Sequence, residues 1–261
     1  MKLRVWLAGA AAAMALGSAP AEGQQAAVTG YLASAELPNS LTLLPPPPAK
    51  GSAAEKRDKE AAKAALALHG GPRWDLATED AVLAFPAAAA TFSCAIGAPV
   101  TEAGTPTLVR LLRRSFSDLG RSPYPTKNKY QRPRPFTVNG KPQCTPAMDA
   151  ALRKDGSYPS GHAAIGWGWA LILAEVAPDR TDPILARGRA FSDSRRICNV
   201  HWLSDVEEGR MVGSAVVARL HDSAAFKADV AAARSELAIV RAQGLTPARD
   251  CAQEAARLAA G

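Results

Sequence analysis

The stretch GSYPSGHAAIGWGWALILAEV occupies residues 156–176 and joins a glycine-bounded polar segment to a long apolar run. The apolar part, 163–176, is shorter than the roughly 20 residues that a helix needs to cross a bilayer. It ends at Glu175, just before Pro178, so it predicts a buried core helix rather than a membrane span. We therefore expect a helical core.

The rest of the chain also favours helices over strands. Alanine is abundant, aromatic residues make up 6% of the chain, and β-branched residues rarely cluster. No segment alternates apolar and polar residues as a half-buried strand would. We expect a single compact all-α domain over 51–261. Periodicity and end signals predict its main helices at 52–68, 78–94, 105–120, 158–176, 183–198, 202–221 and 223–242.

The first residues have the layout of a secretory signal peptide. A basic start, Lys2 to Arg4, precedes an apolar run over 5–16, and Ala-Pro-Ala at 19–21 forms a small-residue cleavage site. Cleavage there would remove residues 1–21 and leave a periplasmic protein without a membrane anchor. An uncleaved anchor is the alternative, but the apolar run is too short for a span.

Residues 22–50 form a proline-rich arm that ends in four consecutive prolines at 45–48. Such a run is extended and semi-rigid. Leu41, Leu43 and Leu44 just before it predict an arm that lies across the domain, with a disordered tail as the alternative.

Export changes how the four cysteines are interpreted. Cys94, Cys144, Cys198 and Cys251 are an even number in an oxidising compartment, which predicts one or two disulfides. Three full pairings are open, and the sequence does not choose among them. The cysteine spacing matches no zinc site.

A formal net charge of +7 makes the chain moderately basic. Most of the lysines and arginines are expected on solvated helix faces. No basic run is interleaved with aromatic residues in the manner of a nucleic-acid groove, so nucleic acid is not an expected partner.

The first of three polar blocks carries two cations seven residues apart, Lys127 and Arg134. A helix would place both on one face. Pro133 and Pro135 prevent a regular helix through Arg134, so we expect this arginine on a stiff extended segment beyond a helix end. Another arginine, Arg132, has no lysine seven residues before it. Alone, the block is also typical of solvated surface charge.

The second block places Ser160, Gly161 and His162 at the start of the apolar helix. A Ser-Gly pair there presents free backbone N–H groups and the positive end of the helix dipole, which together form an anion site. His162 would lie at the mouth of this site, where it could donate a proton to a leaving group. The alternative is a capped helix end that the histidine merely covers.

The third block contains Arg195, His201 and Asp205. One helical turn separates His201 from Asp205, so the carboxylate can accept the imidazole Nδ1–H and leave Nε2 free as a base or nucleophile. Arg195 lies six residues before His201, which a continuous helix would place on another face. We therefore expect the chain to break near Asn199. The alternative is a surface His–Asp pair at helical spacing.

Together the three blocks contain what phosphoryl transfer requires. They supply cations for the phosphate oxygens, a nucleophile, and an acid for the departing oxygen. The two other histidines, His69 and His221, lie in no such setting. No cluster of carboxylates indicates a two-metal site.

In this order, the patterns K-x6-RP, PSGH and SR-x5-H-x3-D resemble the phosphatidic acid phosphatase type 2 superfamily. LLPPPP at 43–48, LRKDGSYPSGH at 152–162 and VHWLSD at 200–205 more closely resemble the class A bacterial non-specific acid phosphatases. The resemblance implies the helical fold shared by acid phosphatases and vanadium haloperoxidases. It also implies hydrolysis of small-molecule phosphomonoesters with broad specificity and without a metal or other cofactor, and it leaves a homo-oligomer open.

By position, the resemblance implies that His201 is the nucleophile, forms a phosphohistidine and is oriented by Asp205. His162 would protonate the leaving alcohol and then activate water. The remaining motif residues would bind phosphate, namely Lys127, Arg134, Ser160, Gly161 and Arg195.

Three alternative functions share features with this sequence. A vanadate-dependent haloperoxidase carries the same blocks, but in much longer chains. A lipid phosphatase of the same superfamily would need several membrane spans. A periplasmic phosphate-binding protein without catalysis would have no use for an oriented His201–Asp205 pair. The preferred substrate and the pH optimum stay open.

Overall fold

A computed structural model describes residues 28–261, so the predicted signal peptide and the start of the arm lie outside the described residues. Within 28–261 there are fourteen α-helices and no β-strand, which confirms the all-α prediction. None of these helices is both long enough and apolar enough to cross a membrane. In chain order the helices are α1 (Ser40–Leu43), α2 (Ala53–Leu66), α3 (Pro72–Asp80), α4 (Ala87–Ala90), α5 (Ser93–Ile96), α6 (Pro106–Arg121), α7 (Tyr124–Tyr130), α8 (Pro135–Asn139), α9 (Asp149–Leu152), α10 (Gly161–Val176), α11 (Thr181–Ile197), α12 (Leu203–Leu220), α13 (Ala224–Ala242) and α14 (Cys251–Ala259).

Helix α10 is the buried centre of the fold, as its apolar sequence predicts. Trp169 and Ile172 are fully buried, and Trp169 Nε1 donates to the Leu112 carbonyl of α6 at 3.0 Å. The closest neighbours of α10 are α11 and α12. A Cβ on Gly166 would lie 2.0 Å from the Phe191 ring of α11, so only glycine permits this approach. The close packing brings the ends of these three helices together.

The amphipathic helix α6 covers one side of α10. Its buried face carries Leu108, Leu111, Leu112 and Leu119, which is the face that the sequence periodicity predicts. At its first turn, the Leu108 N–H donates to Glu236 Oε2 of α13 at 2.9 Å. This carboxylate satisfies a backbone donor that the helix itself leaves free, and it links α6 to α13.

The helix expected over 78–94 is wrong. Helix α3 ends at Asp80, and regular helix resumes only at α4. Pro86 has no N–H to donate and restricts the backbone of Phe85 before it, so a helix cannot run through this point. Residues 81–86 instead form an irregular segment.

Two helix starts differ from the sequence prediction because capping decides them. Pro72 lies between the helices predicted at 52–68 and 78–94, and it occupies the first position of α3. Helix α10 begins at Gly161 rather than at 158, because Ser160 Oγ caps it by accepting from the Ala163 N–H at 3.2 Å.

The described part of the N-terminal arm lies against the helical domain. Leu32 and Leu44 are each 7% exposed and join the main hydrophobic core. Tyr158 Oη donates to the Pro45 carbonyl at 2.8 Å, which fixes the proline run beside the PSGH segment. These contacts agree with an arm that lies across the domain.

The four cysteines form two disulfides, and the structure gives the pairing that the sequence did not decide. Cys94 bonds to Cys251 across 157 residues and fastens α14 to the segment around α5. Cys144 bonds to Cys198 and ties the chain before α9 to the end of α11. The second bond lies three residues before His201, so it anchors one side of the loop that carries this histidine.

Candidate active site

The three polar blocks meet in one pocket of about 730 Å³ beside the N-terminus of α10. Its polar end is lined by five side chains that the sequence singles out, Lys127, Arg134, His162, Arg195 and His201. Side chains from α7, α10, α11 and two loops therefore converge on one cavity.

The three predicted cations are buried at the base of this pocket, each 2–3% exposed. Lys127 lies in α7 and Arg195 in the last turn of α11. Arg134 occupies the residue before α8 with φ −78° and ψ 152°, which confirms the extended segment that its flanking prolines predict. Nε and Nη1 of Arg195 have no hydrogen-bond partner among the described residues. A buried cation with free donors is costly unless an anion joins it.

Burial changes the acidity of these cations. Removal from water, together with the charge of Arg134, lowers the pKa of Lys127 to about 8. The same two causes lower the pKa of Arg195, which still keeps its proton because an arginine deprotonates only far above neutral pH. All three groups are charged in acid, whereas Lys127 loses its charge as the pH rises through about 8.

His201 presents Nε2 to the pocket. Nη1 of Arg134 donates to Nε2 at 3.0 Å, and Nδ1 lies 3.4 Å from Asp205 Oδ2. A guanidinium can only donate, so Nε2 carries a lone pair and the ring proton sits on Nδ1. Nδ1 lies near Asp205 Oδ2 but makes no hydrogen bond with any residue of 28–261, so the predicted hydrogen bond from His201 to this carboxylate is not formed in this structure. Burial, then the charges of Arg134 and Lys127, lowers the pKa of His201 well below its usual 6.5. Nε2 therefore stays unprotonated into the acidic range.

The loop that carries His201 breaks the chain between α11 and α12, as the spacing to Arg195 predicts. Asn199 adopts a left-handed backbone with φ of 59°. Its side-chain Nδ2 donates to the carbonyls of Lys141 and Pro142 at 3.2 and 3.1 Å. These bonds hold a conformation that an asparagine tolerates better than most residues. The break lets His201 line the same pocket as Arg195.

Asp205 is completely buried at the first turn of α12. Its Oδ2 accepts from the Trp202 N–H at 2.8 Å, and its Oδ1 accepts from Arg132 Nη1 at 2.6 Å. Its own backbone carbonyl accepts from the Ser160 N–H at 2.8 Å, so the second and third blocks are directly linked. Burial raises the pKa of Asp205, while the charge of Arg132 opposes that rise.

Arg132 is the functional residue that sequence reasoning set aside. Besides Asp205, it binds Asp58 Oδ2 of α2 at 2.7 Å and Ser204 Oγ at 2.8 Å. Its guanidinium also lies 5.5 Å from the ring centroid of Trp202. Asp58 is 74 residues away in sequence, so no local pattern could reveal this partner. These bonds hold the Asp205 carboxylate in place, and the charge of Arg132 favours its ionised form.

We expect the Arg132→Gln variant to lose about 10- to 100-fold in kcat, the size typical of losing a group that orients a reacting side chain. Without the guanidinium the pKa of Asp205 rises further, so the acidic limb of the pH profile should move to higher pH. Arg132→Lys keeps one charge and should recover part of both effects. A Gln variant with a normal profile and normal kcat would show that Arg132 only supports the fold.

His162 stands at the N-terminus of α10, opposite His201. Its Nε2 lies 3.1 Å from the Ala81 carbonyl, a pure acceptor, so Nε2 carries a proton and Nδ1 is the nitrogen that can exchange a proton with the pocket. Burial, then the charge of Arg195, lowers the pKa of His162 well below its usual 6.5. Of the two residues before His162, Gly161 lines the pocket, whereas the buried Ser160 uses its hydroxyl to cap the helix.

Asp155 is a second residue that sequence reasoning missed. Its Oδ2 accepts from Lys127 Nζ at 3.1 Å and from Arg134 Nη2 at 2.9 Å. Its side chain is 35% exposed and belongs to the pocket lining. One carboxylate oxygen thus bridges the two cations at the polar end of the pocket. The only sequence signal was its place in the segment that leads into PSGH.

Two comparisons with known proteins, one with protein families and one with individual proteins, point to the same family. Residues 115–227, which include all three blocks, match the family described as the PAP2 superfamily. The chain is 41% identical over 211 residues to an acid phosphatase of Zymomonas mobilis, which covers 79% of this chain and 78% of that one. It is also 41% identical to the non-specific acid phosphatases of Providencia stuartii over 209 residues (80% of this chain, 84% of the relative) and of Salmonella typhimurium over 205 residues (77% and 81%).

Proposed function

Because the chain belongs to the PAP2 superfamily and, within it, to the non-specific acid phosphatases, we propose that it hydrolyses phosphomonoesters through a phosphohistidine on His201. Its membership makes it an acid phosphatase. The covalent mechanism, the breadth of substrates, the independence from metal and the export of the protein are parts of the proposal.

The observation that carries the proposal is the unpartnered guanidinium of Arg195. It is 2% exposed, its Nε and Nη1 have no partner within residues 28–261, and it lines the pocket together with His201. An anion with several acceptor oxygens would satisfy these donors, and it would compete with Asp155 for Lys127 and Arg134. The cations would then surround the equatorial oxygens of a phosphoryl group while His201 approaches its phosphorus.

In the first half-reaction, Nε2 of His201 attacks phosphorus and the bond from phosphorus to the leaving oxygen breaks. The electron pair stays on that oxygen, which takes the proton from Nδ1 of His162. Phosphorylation leaves the His201 ring positively charged, and the buried carboxylate of Asp205 beside Nδ1 stabilises this charge.

In the second half-reaction, His162 is neutral and accepts a proton from water. The hydroxide oxygen bonds to phosphorus, the P–N bond breaks, and the electron pair returns to Nε2 of His201. The enzyme is restored with His162 protonated and inorganic phosphate in the pocket. Each half-reaction uses the same acid–base group in opposite directions.

The lowered histidine pKa values predict an acidic optimum. His201 must be neutral and His162 protonated, and both pKa values lie well below 6.5. As the pH rises through the lowered pKa of His162, the protonated fraction falls, so the alkaline limb of kcat/KM should lie below pH 6.5. Profiles of glycerol 2-phosphate and p-nitrophenyl phosphate test this, since the better leaving group should show the weaker alkaline limb. A maximum above neutral pH for both substrates would contradict it.

Asp155 should act as a competitor of the phosphate group. We expect Asp155→Asn to lower KM and the inhibition constant of inorganic phosphate by about 3- to 10-fold, since a neutral amide competes less for Lys127 and Arg134. Initial rates with and without phosphate measure both constants. Asp149→Asn is a matched control, because Asp149 pairs with the exposed Arg153 instead of the pocket cations. A weaker phosphate affinity in Asp155→Asn would show that the carboxylate supports substrate binding.

Hydrolysis of p-nitrophenyl phosphate by the purified protein tests the function against its alternatives. We expect turnover at acidic pH that EDTA leaves unchanged, and inhibition by vanadate, which adopts the trigonal-bipyramidal geometry of the phosphoryl transition state. Halide oxidation by peroxide in the vanadate-loaded protein would favour a haloperoxidase. Tight phosphate binding without turnover would favour a binding protein. Loss of activity in EDTA, restored by a divalent metal, would contradict metal independence.

Export is proposed on the sequence of residues 1–21 alone. Edman sequencing of the protein recovered from a periplasmic extract should start at Glu22. A mature chain that still contains the apolar run over 5–16 would instead indicate an anchored protein. Light scattering on the same preparation decides whether a homo-oligomer forms.

A further inference from the structure

The pocket is much larger than a phosphate group needs, and its second half is apolar. A cavity of about 730 Å³ is in the range that holds a whole organic ligand. Beyond the cations and histidines, the cavity is bounded by a wall of apolar side chains, which we term the apolar wall: Leu83, Phe85, Phe116 and Ile165. Leu152 and the half-exposed Tyr124 and Met148 form its outer rim.

The apolar wall begins next to His162, the acid that is proposed to protonate the leaving group. Ile165 follows His162 by three residues on α10, so both side chains lie on the same helix face. Leu83 and Phe85 follow Ala81, whose carbonyl is the partner of His162 Nε2. The alcohol that His162 protonates must therefore depart along the apolar wall, on the side away from the cations.

The apolar wall is firmly held. The rings of Phe85 and Phe116 meet edge to face with centroids 6.2 Å apart, and Phe85 packs in the same way on the buried Trp169 at 5.9 Å. Such aromatic pairs have fixed geometry and present a large apolar area to a ligand.

The two arginines near the wall are already engaged. Arg113 lies 4.8 Å from the Phe85 ring centroid and is paired with Glu102. Arg121 is paired with Asp118 at 3.0 Å and donates to the Leu32 carbonyl at 3.1 Å. The wall thus offers apolar contact instead of a second anion site.

From this arrangement we infer that the enzyme prefers phosphomonoesters whose alcohol or phenol is apolar, namely aryl and medium-chain alkyl phosphates, over sugar or glycerol phosphates. The inference rests on the proposed function, because it places the leaving group by the role of His162. A polar leaving group would lose water on the wall without gaining hydrogen bonds there.

A series of unbranched alkyl phosphates tests this without changing the leaving-group chemistry. From ethyl to hexyl phosphate the alcohol pKa is nearly constant while the apolar area grows. We expect kcat/KM to rise about two- to fourfold per methylene, the gain that burial of a methylene provides. Butyl phosphate should exceed glycerol 1-phosphate, a substrate of similar length, by about tenfold or more.

Two variants attribute the gain to the wall. Leu83→Gln and Phe116→Gln should flatten the series, so that hexyl and ethyl phosphate differ by less than about twofold. Val82→Gln is the matched control: Val82 neighbours Leu83, is 46% exposed and lies outside the pocket lining, so this variant should keep the wild-type slope. If Phe116→Gln fails to fold, Leu83→Gln alone tests the inference, because Leu83 lies in the irregular segment 81–86.

The outcomes separate this inference from the proposed function. A flat series, or glycerol 1-phosphate preferred over butyl phosphate, in an enzyme that depends on His201 would overturn the apolar preference alone. A rising slope that survives Leu83→Gln and Phe116→Gln would show that another surface provides it. Turnover that persists in His201→Ala would refute the proposed mechanism whatever the slope.

Discussion

The His201→Ala variant should lose at least about 10⁴-fold in kcat/KM, the scale seen when a covalent nucleophile is removed. Nε2 of His201 is the nitrogen that carries the lone pair; it accepts from Arg134 Nη1 at 3.0 Å, and His201 lines the pocket beside the buried cations. Alanine leaves no atom that can form the P–N bond, and water would have to attack the ester directly. Stopped assays with p-nitrophenyl phosphate measure the loss.

A control for the His201 prediction lies on the protein surface. His221 is exposed, pairs with Glu175 at 3.0 Å and is absent from the pocket lining, so His221→Gln should keep full activity. Near-ultraviolet circular dichroism and thermal unfolding show whether His201→Ala is folded. A folded His201→Ala variant that retains wild-type kcat/KM would rule out His201 as the nucleophile.

The Arg195→Met variant should lose activity without losing stability. We expect kcat/KM to fall by about 10³-fold, because a guanidinium that stabilises phosphoryl-transfer charge is worth two to four orders of magnitude. The free energy of unfolding in phosphate-free buffer should be unchanged or higher. Arg195 is 2% exposed and two of its donors have no partner in the described part of the chain, so an apolar side chain of similar length removes an uncompensated buried charge.

Phosphate binding provides a second readout for Arg195. Inorganic phosphate at about 100 times its Kd should raise the wild-type free energy of unfolding by about 2.7 kcal/mol, and the same concentration should raise that of Arg195→Met far less. Arg196→Met is the matched control, since Arg196 donates to the Ala61 carbonyl at 3.1 Å and lies outside the pocket lining. A large destabilisation of phosphate-free Arg195→Met would mean that Arg195 has a structural partner.

Short-range spacing explains what could be predicted from the sequence. The spacing of seven positions from Lys127 to Arg134, with prolines on both sides of the latter, was enough to place one in a helix and the other on an extended segment. The spacing of six positions from Arg195 to His201 required a break, and Asn199 supplies it. Each deduction depends only on helix geometry and proline sterics.

Contacts between distant segments explain what could not be predicted. Arg132 gains its role from Asp58 and Asp205, and the cysteine pairing depends on how α5, α11 and α14 pack. Leu83 and Phe85 belong to the apolar wall because the chain is irregular from 81 to Pro86, where alanine-rich composition had favoured a continuous helix. One proline, in this case, outweighed the propensity of its neighbours.

Trapping of the covalent intermediate tests the central claim most directly. The His162→Asn variant should still be phosphorylated by p-nitrophenyl phosphate, whose leaving group needs little protonation, but its second half-reaction should be slow for want of a base. Labelled substrate, a denaturing alkaline quench that spares P–N bonds, and peptide mapping then locate the phosphoryl group. We predict label on His201, and none in the His162→Asn, His201→Ala double variant. Turnover without any trapped label, or label on another residue, would contradict the account.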